Sequence, residues 1–269
     1  MNWVDCGLNL LSSQFTAPEQ VLRDAMPAVN RFVLISSNLN ESAQGIEACE
    51  RWPGCIVTVG VHPHQADHVQ DQELTRIREW AQHPHVRAIG ECGLDYNRNF
   101  SAPARQRQVF AQQVALAVEL QLPLYLHERD ALQDQLAILN EHAGHLPPLF
   151  VHCFTQGIDA LEAYQAFDAY IGVTGWVCDE RRGAELQSAV PFIHADRLLL
   201  ETDAPYLLPR TLKPKPKSRV NRPQYLPHIA EQVAALRQTS VAALAASTTA
   251  NASRLFGHWP AAVEQEAQA

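Results

Sequence analysis

Residues 86–127 read VRAIGECGLDYNRNFSAPARQRQVFAQQVALAVELQLPLYLH, and three successive patterns within them indicate the fold class. An apolar run at 86–91 is followed by an amphipathic segment at 103–120 and by a second apolar run at 124–127. Apolar residues of the middle segment recur at three- and four-residue spacing, which is typical of a helix packed on a sheet. The stretch therefore predicts a strand, a helix and a second strand that runs parallel to the first.

The same alternation extends along the chain. Eight apolar runs are predicted as strands, at 3–8, 32–36, 56–61, 86–91, 124–127, 149–152, 170–174 and 198–202. Helical patterns lie at 41–50, 103–120, 159–167 and 180–190, with two more helices expected within 225–255. Eight strands that alternate with helices favour closure of a parallel sheet into a (β/α)₈, or TIM, barrel. An open doubly wound sheet is the alternative, but no GxGxxG or GxxxxGKS/T motif follows a predicted strand.

The 269 residues suit a single barrel domain, which we place at 1–257, followed by a frayed tail at 258–269. The composition, 46% hydrophobic and 19% charged, excludes wholesale disorder, and the net charge of −8 argues against a protein that coats nucleic acid.

No apolar run is long enough to cross a membrane, and no basic residue precedes Arg23, so neither a membrane segment nor a signal peptide is expected. Six cysteines without a CxxC pair indicate free thiols in a reducing cytoplasm. We expect a monomer.

Five of the predicted strands end in polar residues that can carry chemistry. These residues are His62, His64, Glu91, His127, His152, Glu201 and Asp203. In a barrel the carboxyl ends of all strands lie on one face, where the active sites of such enzymes are found. One polar residue after a strand is usually a surface group, but five strands are hard to explain by packing, because buried charges cost several kcal/mol unless paired or bound to a metal.

Two imidazoles and two carboxylates form a standard shell for a divalent metal ion. By ligand softness this set suits Zn²⁺ or Mn²⁺, and Mg²⁺ less well. A carboxylate such as Glu91 can bridge two ions, and two-metal sites are common in phosphodiester cleavage. The pattern therefore predicts a barrel of the metallo-dependent hydrolase type.

The segment 210–222 is the one strongly basic stretch of the sequence. It holds six basic residues and no acidic residue, and it begins seven residues after Asp203. A run of charges is often only a solvated loop. Beside a metal site, however, it fits a phosphate-binding rim, with Arg210 and Arg222 at its two ends.

Other side chains near strand ends suit contacts with a nucleic acid. Arg129 follows strand five and can fork onto a phosphate. Tyr96, Trp176 and Tyr206 lie near strand ends and can stack on bases. For each of these residues alone, packing at the rim of the barrel is the more common explanation.

Six segments carry a resemblance to a known family: GVHPH at 60–64, AIGECGLDY at 88–96, LPLYLHERDA at 122–131, VHCFT at 151–155, YIGVTGWVCDERRG at 170–183 and LETDAPYLLPR at 200–210. With these segments the sequence resembles the TatD family of metal-dependent deoxyribonucleases. The resemblance runs from residue 5 to about residue 257, and GECGLD and ETDAPYL are its most specific parts.

The resemblance implies a Mg²⁺-dependent barrel enzyme, with Mn²⁺ or Zn²⁺ as possible substitutes. It implies 3′-5′ exonuclease action on the ends of single-stranded DNA and RNA, in DNA repair or nucleic-acid turnover. By motif, it implies that the metal ligands are Glu91, His127, His152 and Asp203. His62 would then face the substrate or the attacking water.

One segment departs from the pattern of many family members. Those members open with an HxH pair on strand one, whereas DCGLN at 5–9 places Gly7 and Asn9 at those two positions. We therefore expect one well-held metal ion and a second, weaker one. The first would keep Glu91, His127 and His152, and the second would rely on Glu91, Asp203, water and Asn9.

The leading hypothesis is an exonuclease in which Asp203 orients the attacking water or takes its proton, with Glu201 as its partner. His62 or His64 contacts the scissile phosphate or protonates the leaving oxygen. The flanking nucleotides are assigned to Arg129, Tyr206, Arg210 and Arg222.

Two alternatives stay open. The first is an amidohydrolase-type barrel that acts on a small amide or ester. Such enzymes usually carry the HxH pair and a carbamylated lysine, but no lysine precedes Lys213. The second is a catalytically inactive barrel that binds nucleic acid through 210–222, and the intact set of predicted metal ligands argues against it.

Overall fold

The computed structural model describes residues 2–257 and 259. Within that range eight strands form one parallel sheet in sequence order. They are β1 (Trp3–Leu8), β2 (Val29–Leu34), β3 (Cys55–Val59), β4 (Val86–Asp95), β5 (Leu124–Arg129), β6 (Leu149–Val151), β7 (Tyr170–Val173) and β8 (Leu198–Leu200). The α-helices are α1 (Pro18–Ala25), α2 (Leu39–Arg51), α3 (Thr75–Trp80), α4 (Pro103–Leu120), α5 (Leu132–Asn140), α6 (Ile158–Gln165), α7 (Ala184–Ala189), α8 (Leu226–Leu236) and α9 (Val241–Phe256). Short 3₁₀ helices lie at Pro63–His68, Asp71–Leu74, Gly175–Cys178, Val190–Phe192 and Pro223–Tyr225.

The sheet closes on itself between β1 and the residues that follow β8. Leu8 and Ala204 form a parallel bridge, and the Asn9 N–H donates to the Ala204 carbonyl oxygen at 2.8 Å. The Asp203 N–H donates to the Gly7 carbonyl oxygen at 2.9 Å. The prediction of a (β/α)₈ barrel is confirmed. None of the helices in this part of the chain is both long and apolar enough to cross a bilayer.

The predicted strands overlap the observed ones, with one difference that matters for the site. The sequence pattern predicts that the fourth strand ends at Glu91, but β4 continues to Asp95. Beyond Glu91, Gly93 pairs with His127 and Asp95 with Arg129. Gly93 has a φ of +138°, and a Cβ atom there would collide with the His127 carbonyl oxygen, so glycine alone lets the two strands meet.

The helices differ more from the prediction. Helices α3 and α5 were not predicted, and the helix expected at 180–190 begins only at Ala184. The Asp179 carboxylate accepts hydrogen bonds from the N–H groups of Arg181 and Arg182, at 3.0 and 3.3 Å. These bonds hold a turn where the helix was expected to start.

Side chains from every strand fill the barrel. They are Val4, Cys6, Val33, Ile35, Ile56, Ala88, Tyr125, Phe150, Tyr170 and Leu199. At the amino end of the barrel, Phe256 packs edge-on against Phe150 and Trp259. The indole N–H of Trp259 donates to the Gly54 carbonyl oxygen at 2.9 Å. Trp259 is therefore buried although it lies in the segment expected to fray, whose other residues, 258 and 260–269, are outside the described residues.

Candidate active site

A cluster of imidazoles surrounds the Glu91 carboxylate where the strands end. Its Oε1 atom lies 3.0 Å from Nδ1 of His127, 3.5 Å from Nε2 of His62 and 3.8 Å from Nε2 of His152. Glu91 belongs to β4, and the three histidines lie at or just beyond the ends of β5, β3 and β6. Four strands thus bring one carboxylate and three imidazoles together, as the sequence pattern predicts.

The Asp95 carboxylate contacts His127 and a fourth histidine of the cluster, His64. Its Oδ2 atom lies 3.3 Å from Nε2 of His127 and 2.7 Å from Nε2 of His64, and its side chain is buried. A carboxylate on one ring nitrogen is the usual means of orienting a metal-binding histidine. Asp95 was not among the predicted site residues. Strand alternation places it on the same face as Glu91 once β4 is known to continue past that residue.

A second buried carboxylate orients His152. Oε2 of Glu201 lies 2.6 Å from Nδ1 of His152, and the Tyr125 hydroxyl oxygen lies 3.0 Å from the same nitrogen. Glu201 is 0% exposed, and its other oxygen accepts a hydrogen bond from the Cys153 N–H. Glu201 therefore has no surface for a substrate. Its contact with His152 is that of a positioning residue, and the role predicted for Glu201 as the partner of Asp203 in catalysis stays a prediction.

The Glu201 carboxylate also leaves no room for a side chain at position 7, the first position of the histidine pair that many family members carry on β1. A Cβ atom on Gly7 would collide with Oε2 of Glu201 and lie 2.8 Å from the Tyr125 hydroxyl oxygen. The group that holds His152 therefore occupies the space that a side chain at this position needs. At the second position, Asn9 donates from Nδ2 to Oδ1 of Asp203 at 2.8 Å.

Asp203 lies directly beyond β8 in an uncommon backbone conformation. Its φ is +53°, a left-handed value that non-glycine residues adopt rarely and that is concentrated at functional sites. Its Oδ1 atom lies 3.7 Å from Nε2 of His152. Burial raises the pKa of Asp203 to about 7, with Glu91 and Glu201 adding to the effect and His152 opposing it. The carboxyl group thus faces the histidine cluster and titrates near neutrality.

His62 differs from the other histidines in its protonation. Burial, with the neighbouring rings of His127 and His64, lowers the pKa of His62 to about 3, so the ring is neutral at physiological pH. Its Nδ1 accepts a hydrogen bond from the His64 N–H at 3.1 Å. The single proton of the neutral ring therefore lies on Nε2, the atom that faces Glu91. This arrangement favours a hydrogen-bond donor to a substrate over a metal ligand.

His127 and His152 are held in the charged form by their carboxylate partners. Burial alone would lower the pKa of each ring, but Asp95 and Glu91 raise the pKa of His127 to about 9. Glu201 raises the pKa of His152 to about 10 in the same way. The imidazoles hold the pKa of Glu91 well below its usual range, although burial raises it.

The ligand atoms fall into two groups that fit a divalent cation. Those of His62, Glu91 and His127 lie within 4.8 Å of one another, and so do those of His152, Cys153 and Asp203. The four predicted ligands are therefore neighbours, but His152 is grouped with Asp203 instead of with Glu91. Cys153 was not predicted, and burial raises the pKa of its thiol well above the usual value. Imidazoles oriented by buried carboxylates are the donor set that such an ion requires.

Three of the predicted substrate-binding residues lie at the mouth. His64 is anchored by Asp95, beside the cluster. Arg129 is exposed at the carboxyl end of β5. Tyr206, which is 49% exposed, lies three residues after Asp203 and lines a polar cavity of about 370 Å³ with Asn9.

The two arginines of segment 210–222 are placed differently from each other. Nε of Arg210 lies 3.7 Å from Asp179 and 3.5 Å from Glu180, in the loop that follows β7. Nη1 of Arg222 lies 3.5 Å from Asp24, near the end of α1. Because Asp24 belongs to helix α1, this ion pair places the Arg222 guanidinium against the helical layer of the barrel. No contact joins the Arg222 side chain to the strand-end cluster within the described residues.

A parallel barrel whose strand ends present oriented imidazoles and carboxylates to one mouth has the fold of the metal-dependent hydrolases. The chain belongs to the TatD-related DNase family, because the family model with that description matches residues 4–257. The resemblance inferred from the sequence motifs is therefore confirmed.

Similar proteins agree with this assignment. The chain is 50% identical over 254 residues to a Cronobacter sakazakii protein named 3′-5′ ssDNA/RNA exonuclease TatD, covering 94% of this chain and 97% of that protein. It is 46% identical over 255 residues to the Escherichia coli K12 protein of the same name, covering 94% and 98%. The structure of YJJV, a TatD homologue from Escherichia coli, superposes with a TM-score of 0.86 at 23% identity, covering 95% of this chain and 98% of that one. An uncharacterized amidohydrolase from Saccharomyces cerevisiae has a TM-score of 0.79 at 20% identity, covering 95% and 100%. These two structures share the fold.

Proposed function

We propose that this protein is a metal-dependent exonuclease that removes nucleotides from the 3′ ends of single-stranded DNA and RNA. The observation that carries the proposal is the cluster at the mouth, with Glu91 within 3.8 Å of three imidazoles and Asp203 facing His152. Relatives at 46–50% identity are named for this activity. Strand ends that combine imidazoles with carboxylates are suited to hydrolysis of a phosphodiester.

We assign the metal site to Glu91, His127, His152 and Asp203, and we propose Mg²⁺ as the ion, with Mn²⁺ or Zn²⁺ as substitutes. A divalent ion bound there supplies Lewis-acid activation of the phosphodiester and of water. One ion is expected to be held well and a second more weakly. The second donor group includes Cys153, whose thiol keeps its proton at neutral pH because its pKa is raised well above the usual value.

The chain's own residues then orient the substrate and move the protons. His62 donates a hydrogen bond from Nε2 to the scissile phosphate. Its neutral ring carries one proton, and that proton lies on Nε2 because Nδ1 accepts a hydrogen bond from the His64 N–H. His64, held by Asp95, contacts the leaving oxygen. Asp203 orients the attacking water and accepts its proton, because its carboxylate faces His152 at the edge of the cluster. Arg129, Arg210 and Tyr206 bind the flanking nucleotides.

The test is digestion of a 5′-labelled single-stranded DNA oligonucleotide with Mg²⁺, Mn²⁺ or EDTA. A metal-dependent ladder that shortens from the 3′ end is the expected result, and a matched RNA gives the same ladder. No cleavage with any metal would contradict the proposal and favour a hydrolase of small molecules. Retention of the uncut oligonucleotide would instead favour a binding protein.

Single substitutions in the cluster connect the activity to these residues. His127→Ala or Glu91→Ala is expected to abolish cleavage, because each removes a proposed metal ligand. Circular dichroism is expected to show a folded barrel in both variants. Full nuclease activity in either folded variant would overturn the site assignment.

We further propose that the protein acts as a cytoplasmic monomer in DNA repair or nucleic-acid turnover. The six cysteines, all free of disulfides, suit a reducing compartment. Light scattering coupled to size-exclusion chromatography tests the monomer, and a mass near twice the 30.0 kDa of one chain would contradict it.

A further inference from the structure

A basic cavity lies beside the mouth, between the 3₁₀ helix Gly175–Cys178 that follows β7 and the segment that follows β8. Its volume is about 420 Å³. The residues of its lining that can recognise a ligand are Trp176, Arg182, Arg210, Lys215 and Arg219. Of this set, Arg210 is a substrate contact already assigned, whereas Trp176 and the segment that holds Lys215 and Arg219 were named from the sequence only as general candidates for stacking and phosphate binding.

The cavity adjoins the metal-binding cluster through two short connections. The backbone N–H of Trp176 donates to Oγ1 of Thr174. That oxygen lies 3.7 Å from the sulfur of Cys153, which follows His152 in the chain. On the other side, Leu207 lines the cavity and lies four residues after Asp203. Four residues span at most about 14 Å. A strand held at the cluster can therefore reach the cavity.

The cations of the cavity are only partly neutralised. Oδ2 of Asp179 lies 2.9 Å from Nη2 of Arg182, and Oδ1 of Asp179 lies 3.7 Å from Nε of Arg210. Neither Lys215 nor Arg219 has an ion pair or a side-chain hydrogen bond within residues 2–257 and 259. Two cations therefore remain available to an anionic ligand.

Trp176 adds an aromatic surface to these charges. The Arg182 guanidinium carbon lies 4.3 Å from the centre of the indole, and Asp179 holds that guanidinium in place. The indole N–H is buried and has no acceptor in the described part of the chain. Stacked aromatic and guanidinium planes beside free cations are typical of sites that hold single-stranded nucleic acid.

We propose that this cavity holds an internal nucleotide of the substrate strand, one that is not being hydrolysed. Its base stacks on the layer formed by Trp176 and Arg182, and its phosphate contacts Lys215 and Arg219. The inference rests on the proposed nuclease function, and it assigns to the protein a preference for chains over dinucleotides.

The experiment compares a 5′-labelled oligothymidylate with a thymidine dinucleotide, in Mg²⁺. The double variant Lys215→Gln/Arg219→Gln is expected to raise KM for the oligonucleotide roughly three- to tenfold, with kcat unchanged. The slope of log(1/KM) against log[salt] is expected to become shallower by about 0.7, because Lys215 and Arg219 share one phosphate and each phosphate neutralised on a single strand contributes about 0.7. KM for the dinucleotide is expected to stay the same.

Arg181→Gln is the matched control, because Arg181 pairs with Asp179 at 3.7 Å and lies next to the cavity without lining it. Trp176→Ala is expected to raise KM for the oligonucleotide by at least about fivefold, through loss of stacking. If Trp176→Ala does not fold, the exposed Lys215 and Arg219 still decide the question.

Two outcomes would overturn the inference while the nuclease function stands. One is a KM for the double variant equal to that of Arg181→Gln. The other is an equal rise in KM for the dinucleotide, which would place the effect at the cluster itself. Absence of oligonucleotide cleavage by the unaltered protein would instead overturn the proposed function.

Discussion

Single side chains at the mouth act in pairs, with a buried carboxylate behind two of the three imidazoles that face Glu91. Asp95 lies behind His127, and Glu201 lies behind His152. These carboxylates fix which ring nitrogen points into the cluster, and they determine the charge of each ring. The chemistry of the site therefore depends on residues that never touch a substrate.

Replacement of Asp95 by asparagine tests this role. Asp95→Asn removes the charge that orients His127, so Mn²⁺ affinity is expected to fall about 10- to 100-fold. Titration calorimetry measures the affinity. Asp130→Asn is the control, because Asp130 is an exposed carboxylate after β5 that bonds to Asn97. Unchanged Mn²⁺ affinity in Asp95→Asn would show that Asp95 does not act through the metal site.

Metal binding is also expected to release protons. The pKa of His127 is raised to about 9 and that of His152 to about 10, so both rings are protonated at pH 7 before metal is added. A metal ion binds the deprotonated ring nitrogen, so affinity for Mn²⁺ should rise with pH up to about pH 10, the higher of the two pKa values. Binding heats at pH 7 should depend on the ionisation enthalpy of the buffer. Heats that are the same in all buffers would contradict this prediction.

Among the elements, β4 contributes most to the site. Glu91, Gly93 and Asp95 alternate along one face of this strand, so one strand delivers two of the carboxylates. The register of β4 against β5 shifts between Gly90 and Cys92, and the strand then continues beside His127. Glycine at position 93 makes that continuation possible because it leaves room for the His127 carbonyl group.

Gly93→Ala is therefore expected to lower the free energy of unfolding by at least about 3 kcal/mol, from a strained φ and a collision with backbone. Urea denaturation measures the loss. Gly144→Ala is the matched control, because Gly144 also has a positive φ, +83°, but a Cβ there meets nothing within 4 Å. Its expected cost is about 1 kcal/mol. Equal losses in the two variants would contradict the close approach of β4 and β5.

At the scale of the whole molecule, the two ends of the barrel have separate tasks. The carboxyl end carries the cluster, and the amino end is closed by Phe256 and Trp259. Stability and activity are therefore expected to respond to different substitutions. In (β/α)₈ barrels, residues at the carboxyl end usually serve activity and residues at the amino end usually serve stability.

Phe256→Ala tests this separation. Loss of a buried aromatic ring is expected to lower the free energy of unfolding by about 3–5 kcal/mol, while kcat and KM of the folded variant stay unchanged. Phe192→Ala is the control, because Phe192 is 60% exposed and its removal is expected to cost less than about 0.5 kcal/mol. A large fall in kcat for folded Phe256→Ala would show that the two ends are coupled.

The sequence by itself determined the barrel, the order of its strands and most of the cluster. Hydrophobic periodicity is a local property, so each strand can be recognised from its own residues. Parallel strands in a barrel must end on one face, and this constraint brings Glu91, His127 and His152 together without further information. The same strand-end pattern pointed to Asp203 and to a metal-dependent hydrolase, and the family motifs then specified a nuclease.

Only the tertiary structure decided which carboxylate orients His127 and which carboxylate orients His152. Asp95 reaches His127 because β4 continues through a register shift that local periodicity does not encode. Glu201 orients His152 and fills the space beside Gly7, a contact between residues nearly 200 positions apart. The same distant packing separates Arg210, which stays at the mouth, from Arg222, which pairs with Asp24. Such contacts depend on closure of the barrel, because residues far apart in sequence meet only when the first and last strands join.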